Sequence, residues 1–319
     1  MSKQLPTRIL AAAGLLLAVL IPVIGNIYWL GVGFTVLIFA ILAIGMNIVV
    51  GYAGLLDLGY AAFFAIGSYV TALLMTYTDC SFWLAWPLSG VAAGIFGMIV
   101  GAPTLRLRTD YLAIVTLGFG EITRLVITNL DVTGGPTGLY NLREPEAFGV
   151  SIESQTAYYW AALAMLLAGL AVSALLRRSR LGTAWTYIRH DEDLAQAIGI
   201  NPIAVKLTAY GLGAIWGGLA GALYVESAGA VSPTSFTFTQ SLLVVIAVLL
   251  GGQGSLPGVL VGTVLAVGLP EVFRTADSWR FLIFGIVLVA IMLWRPRGLI
   301  RDSYRTPLEK AFAQDARAD

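Results

Sequence analysis

Apolar residues in this chain come in long unbroken runs, and the polar residues collect between them. The runs cover residues 9–25, 31–50, 58–78, 83–103, 111–130, 157–176, 207–228, 239–251, 255–273 and 280–295. A helix needs about 20 apolar residues to cross the hydrocarbon layer, fewer where it is short or tilted. Only helices and closed barrels satisfy every backbone polar group there. The pattern therefore predicts an all-α, polytopic membrane helix bundle with about ten transmembrane segments, the eighth and tenth being short.

Composition agrees. The chain is 58% hydrophobic and 12% charged, with a mean hydropathy of +0.84, against about 25% charged residues in a soluble domain. A single membrane domain over residues 1–319 is expected rather than two soluble ones. The net charge of +1 and the absence of a basic stripe leave no place for nucleic acid, and one cysteine, Cys80, rules out an internal disulfide. The first run follows Lys3 and Arg8 as a signal peptide would, but no small-residue cleavage site with a soluble domain follows, so it reads as a retained span.

Positive charge orients the threading. With the N-terminus inside, the inner segments hold Lys3, Arg8, Arg106, Arg108, Arg177, Arg178, Arg180, Arg189, Lys206 and the tail from Arg295 onward, whereas the outer loops hold Arg143, Arg274 and Arg280. Both termini are thus expected in the cytoplasm, including the tail 300–319. So is the most charged internal segment, residues 177–206. That segment carries its own helix signals: Asp191 as N-cap, Glu192 and Asp193 in the first turn, and Gly199 with Pro202 as the stop. A short capped helix outside the bilayer, with Leu194, Ala195, Ala197 and Ile198 to bury, asks for a partner surface.

Glycine interrupts the runs at two places, Gly51 to Gly59 (with Gly54 and Asp57) and Gly251-Gly252-Gln253-Gly254 through Gly258. Both fall on the inner side. Freed backbone at membrane depth is tolerated only against protein or a wet cavity, and paired interruptions in a transporter point to the path. Asn47 and Asp57 flank the first break and are expected to satisfy its loose backbone groups, with a path role second. Small residues at four-residue spacing, such as Gly213, Gly217 and Gly221, predict close helix packing. The outer loop 131–156, with Gly134-Gly135-Pro136, is either a connector or a docking surface.

Charge inside a span is costly. Glu121 and Arg124 lie three apart on one helical face and can pair with each other, either as a self-satisfied unit near a helix interface or along a path. Glu226, near the outer end of its span, is expected to reach the interface. The single histidine, His190, lies in the 177–206 segment without candidate metal partners, and no G-x-x-x-x-G-K-[ST], G-x-S-x-G or H-E-x-x-H occurs. Catalysis by this chain and a resident cofactor are not expected. Active transport would draw its energy from another subunit.

Several stretches together resemble the branched-chain amino-acid ABC permeases, and in particular their M-type subunit: Leu105 through Ile122, Thr133 through Leu139, the break Gly51 to Gly59, Ile188 through Asn201, Gly251 to Ser255, and Arg295 to Leu299. The resemblance runs from about residue 35 to 300. Thr109 departs from it, standing where the family commonly has glycine, and His190-Asp191-Glu192 is a variant of its loop. The resemblance implies a bacterial inner-membrane permease that pairs with a related H-type permease, two cytoplasmic ATPase subunits and a periplasmic amino-acid-binding protein. It implies uptake of Leu, Ile or Val by alternating access. It also makes 177–206 the coupling loop, with Arg189, Asp191, Glu192, Leu194, Ala197, Ile198 and Gly199 at the ATPase. A urea or short-chain amide permease of the same superfamily is the alternative. An ion-coupled carrier or channel fits less well, lacking a use for the capped helix.

Overall fold

The computed structural model describes residues 22, 26–78, 80–105, 109–140, 142, 146–147, 150–151, 154–272 and scattered positions from 285 to 300. The first and tenth predicted runs and the tail lie largely outside them. Between them the chain is an all-α bundle. Among the described residues six helical stretches are long and apolar enough to cross a membrane: Ile27–Tyr52, Phe82–Thr104, Tyr111–Asn129, Gln155–Arg178, Pro202–Ala228 and Pro233–Gly251. Two shorter apolar helices, Ala61–Tyr77 and Leu256–Glu271, coincide with the remaining runs of that region.

We number the helices α1 (Ile27–Met46), α2 (Ala61–Tyr77), α3 (Phe82–Thr104), α4 (Thr109–Asn129), α5 (Gln155–Arg178), α6 (Arg180–His190), α7 (Glu192–Ala197), α8 (Pro202–Ala228), α9 (Phe238–Gly251), α10 (Leu256–Thr263) and α11 (Leu269–Val272). Wider π-helical turns extend α1 over Asn47–Tyr52 and join α10 to α11 over Val264–Gly268. Such turns lengthen the hydrogen-bond step and are frequent at functional sites.

Helix α8 lies at the centre, against α1, α2, α3, α5 and α6. Small residues allow it. A Cβ on Gly67 of α2 would lie 2.2 Å from the Gly218 carbonyl oxygen of α8, so the two backbones touch where they cross. The last turn of α8 is also inside the bundle: Glu226 is 6% exposed. Its side chain is thus packed among protein rather than open to solvent.

The segments 131–140 and 229–235 meet at the end of α8 opposite its Pro202 start, through a two-residue antiparallel pairing, β1 (Leu139–Tyr140) with β4 (Ala230–Val231). A second small hairpin joins β2 (Glu146–Ala147) to β3 (Val150–Ser151). Helix α4 packs least well. Tyr111, Ile114, Ile122, Leu125 and Val126 are about half exposed or more, and a Cβ on Gly118 would meet nothing within 4 Å.

Candidate functional site

The two glycine breaks are far apart in sequence and adjacent in space. Asn47 Oδ1 accepts the Gly254 N–H at 2.8 Å, so the first break caps the second. A Cβ on Gly51 would lie 2.0 Å from Asn47 Oδ1 and 2.7 Å from the Gly254 nitrogen. Gly51 is glycine because a side chain there would displace this contact. The Gly251 end of α9 also touches α10, and Leu299 and Ile300 close over it, their N–H groups donating to the Leu250 and Gly251 carbonyls at 2.9 and 3.0 Å.

Past the first break, α2 begins inside the protein, where its free N–H groups must find partners. Side chains supply them. Gly59 N–H donates to Asp57 Oδ1 at 2.8 Å, Leu58 N–H to Thr116 Oγ1 at 3.0 Å, and Ala61 N–H to Ser241 Oγ at 2.8 Å. Tyr60 Oη reaches the Gly213 carbonyl at 2.6 Å. Asp57 is fully buried, its carboxylate facing the Tyr210 and Thr116 hydroxyls. Residues of α4, α8 and α9 thus help to hold the break.

The 177–206 segment folds against this junction. It is not a loop but two helices and a turn. Asp191 ends α6 and caps α7, its Oδ1 accepting the Leu194 N–H at 3.0 Å. Gly199 adopts φ +85°, and Asn201 caps α8 with Pro202 in the first turn. On α7, Ala195 is buried while Leu194 and Ile198 are 61% and 60% exposed. Ala197 is exposed as well.

The segment's polar side chains divide their work. Lys206 is buried at the start of α8 and gives its ammonium to Glu192 Oε2 at 2.6 Å, holding α7 down. Glu192→Ala is expected to loosen α7 by about 1–2 kcal/mol. That is less than the ~3–5 kcal/mol for breaking a fully buried pair, since Glu192 is 44% exposed. Faster amide exchange over 192–198, with α8 still protected, is the readout.

Arg189 turns away from α7. Its guanidinium donates to the Gly51 carbonyl and, at 2.8 Å, to Gln253 Oε1. Arg177, expected among the positive charges of the inner segments, donates to the Gly254 carbonyl at 2.9 Å and lies 5.5 Å over the Tyr52 ring. Tyr52 also stacks with Trp185, 6.4 Å between centroids, and its hydroxyl meets Ser173 Oγ at 3.0 Å. Trp185 is fully buried and bonds the Val205 carbonyl at 2.9 Å.

Sequence reasoning missed Arg177, Tyr52, Trp185, Lys206, Thr116, Ser241 and Tyr210 as members of this junction. A tryptophan inside the chain's most charged segment was the one available signal. Elsewhere, the Glu121–Arg124 pair forms, Arg124 Nε to Glu121 Oε2 at 2.9 Å, with side chains 36% and 29% exposed. Among the described residues no group of three or more His, Cys, Asp or Glu is placed to hold a metal ion. The junction's chemistry is hydrogen bonding to freed backbone carbonyls.

A family model described as "Branched-chain amino acid transport system / permease component" matches residues 28–293. The chain is 40% identical over 288 residues to the high-affinity branched-chain amino acid transport system permease protein LivM of Salmonella typhimurium, covering 83% of this chain and 68% of that protein. The LivM protein of Escherichia coli is 40% identical over 289 residues, with the same coverage. The corresponding permease protein LivH of Escherichia coli is 27% identical over 289 residues, 82% of this chain and 91% of that one. No solved structure matches the chain.

Proposed function

This chain belongs to the family of permease components of branched-chain amino-acid transport systems, and from that premise we propose that it is one half of the translocation path of an ATP-driven importer for Leu, Ile and Val. The second half is a LivH-like permease. Energy comes from two cytoplasmic ATPase subunits, and a periplasmic binding protein delivers substrate. The whole of 1–319 is one permease domain of about ten spans in a bacterial inner membrane, with both termini, the 300–319 tail and the 177–206 coupling segment in the cytoplasm. ATP hydrolysis takes place on the partner chains.

The observation that carries the reading is the placement of α7. It is a capped helix with Leu194 and Ile198 open to contact, on a bundle whose sequence holds no P-loop. Both glycine breaks meet this segment through Arg177 and Arg189, which agrees with breaks and segment lying on one side of the membrane. Helix α4 is the wall that faces the path or the second permease. An ion pair at mid-span, about one third exposed, is too costly to present to lipid.

The test is reconstitution of this chain with the other permease, the ATPases and the binding protein of its system. ATP-dependent accumulation of leucine, isoleucine and valine is expected. Uptake of urea or short-chain amides alone would move the assignment to that sister class, and uptake without ATP would overturn it.

A further inference from the structure

We propose that Arg189 is a positioning residue, the strut that carries displacement of the coupling segment to both glycine breaks at once. The proposal rests on the coupling reading above and adds how the motion enters the bundle.

The argument begins with where α6 ends. Arg189 lies in its last turn, two residues before Asp191, which serves α6 and α7 together. Force on α7 therefore reaches Arg189 with almost no intervening chain. The guanidinium is fixed at its far end by acceptors from two different elements, the Gly51 carbonyl of the first break and Gln253 Oε1 of the second. Gly51 and Gln253 sit at the inner ends of the α1 and α9 stretches, so one planar cation spans both. A Cβ on Gly54, at φ +74°, would lie 2.8 Å from Arg189 Cγ, so the stem of the side chain runs along the backbone of the break.

The rest of the junction makes the strut stiff. The Gly254 N–H is held by Asn47, and its carbonyl by Arg177. Tyr52, the last residue of the π-helical turn, is in contact with both Arg177 and Trp185. Trp185 stands one helical turn before Arg189 on α6 and is locked to α8 through Val205. Displacing α6 thus moves both breaks in the same direction. Arginine suits this because its rigid fork holds two acceptors in a fixed geometry, whereas a lysine ammonium is a point charge on a flexible stem.

Arg189→Gln, Arg189→Lys and Gln253→Leu are compared with wild type in the reconstituted full transporter. Three quantities are read: co-purification of the ATPases, ATP hydrolysed, and leucine accumulated per ATP. For Arg189→Gln the ATPases are expected to co-purify and hydrolyse ATP, while leucine per ATP falls at least about tenfold. Arg189→Lys and Gln253→Leu, each keeping one of the two contacts, are expected to fall between the two at an unchanged melting temperature. Wild-type leucine per ATP in Arg189→Gln overturns the strut and leaves the coupling reading intact. Failure of the ATPases to co-purify with wild type defeats that reading instead. If Arg189→Gln does not fold, the other two variants decide, and wild-type coupling in both overturns the proposal.

Discussion

Aspartate at both Leu194 and Ile198 is expected to cut ATP-driven uptake at least about tenfold while the permease stays folded. The two side chains are 61% and 60% exposed, so the chain's own packing loses little. Against an ATPase they carry far more. Burying an apolar side chain of this size contributes about 1.5–3 kcal/mol, and interfaces concentrate their energy in a few such anchors. A loss of about 3 kcal/mol is over a hundredfold in affinity, and two carboxylates brought into the contact would need partners that an apolar socket lacks. The measurement is ATPase co-purification together with leucine uptake at equal membrane expression. Unchanged uptake would show that α7 is not the docking element.

Gly251→Val is expected to cost the bundle its junction. A Cβ there would lie 2.1 Å from the Gly258 carbonyl oxygen and 2.8 Å from the Val259 nitrogen. Both neighbours are backbone and cannot rotate aside. Helices α9 and α10 must therefore separate, which pulls the Gly251 carbonyl from the Ile300 N–H. Overpacking of this kind costs about 1–3 kcal/mol, sometimes more. The expected outcome is a lower melting temperature in detergent and loss of most uptake. Gly268→Ala, whose added Cβ meets nothing closer than 3.8 Å, should leave both unchanged. Equal behaviour of the two variants would mean that the α9–α10 contact is dispensable.

These experiments test a division visible within one segment. Asp191 as cap, Gly199 as stop and Pro202 at the start of α8 are legible from sequence because each acts on neighbours within about four residues. The same reading grouped Arg189 with the residues facing the ATPase. Its side chain is long enough to choose among several directions, and nothing in its local neighbours ranks them. Asn47 shows the same limit. The sequence makes it a candidate for the loose backbone of its own break, but its oxygen bonds Gly254, 207 positions away.

The long apolar runs, the likeness to a permease family, the capped helix within 177–206 and the two glycine interruptions are legible in the residues alone. Hydropathy, charge bias and capping are properties of short windows, so they survive without coordinates. It took the folded bundle to establish that the two interruptions touch, that Arg177 and Arg189 hold their carbonyls, that Trp185 and Lys206 fasten the segment to α8, and that Glu226 is buried. The physical reason is that a freed carbonyl takes whichever donor the packing of distant helices brings within about 3 Å, and that distance is set by the whole bundle.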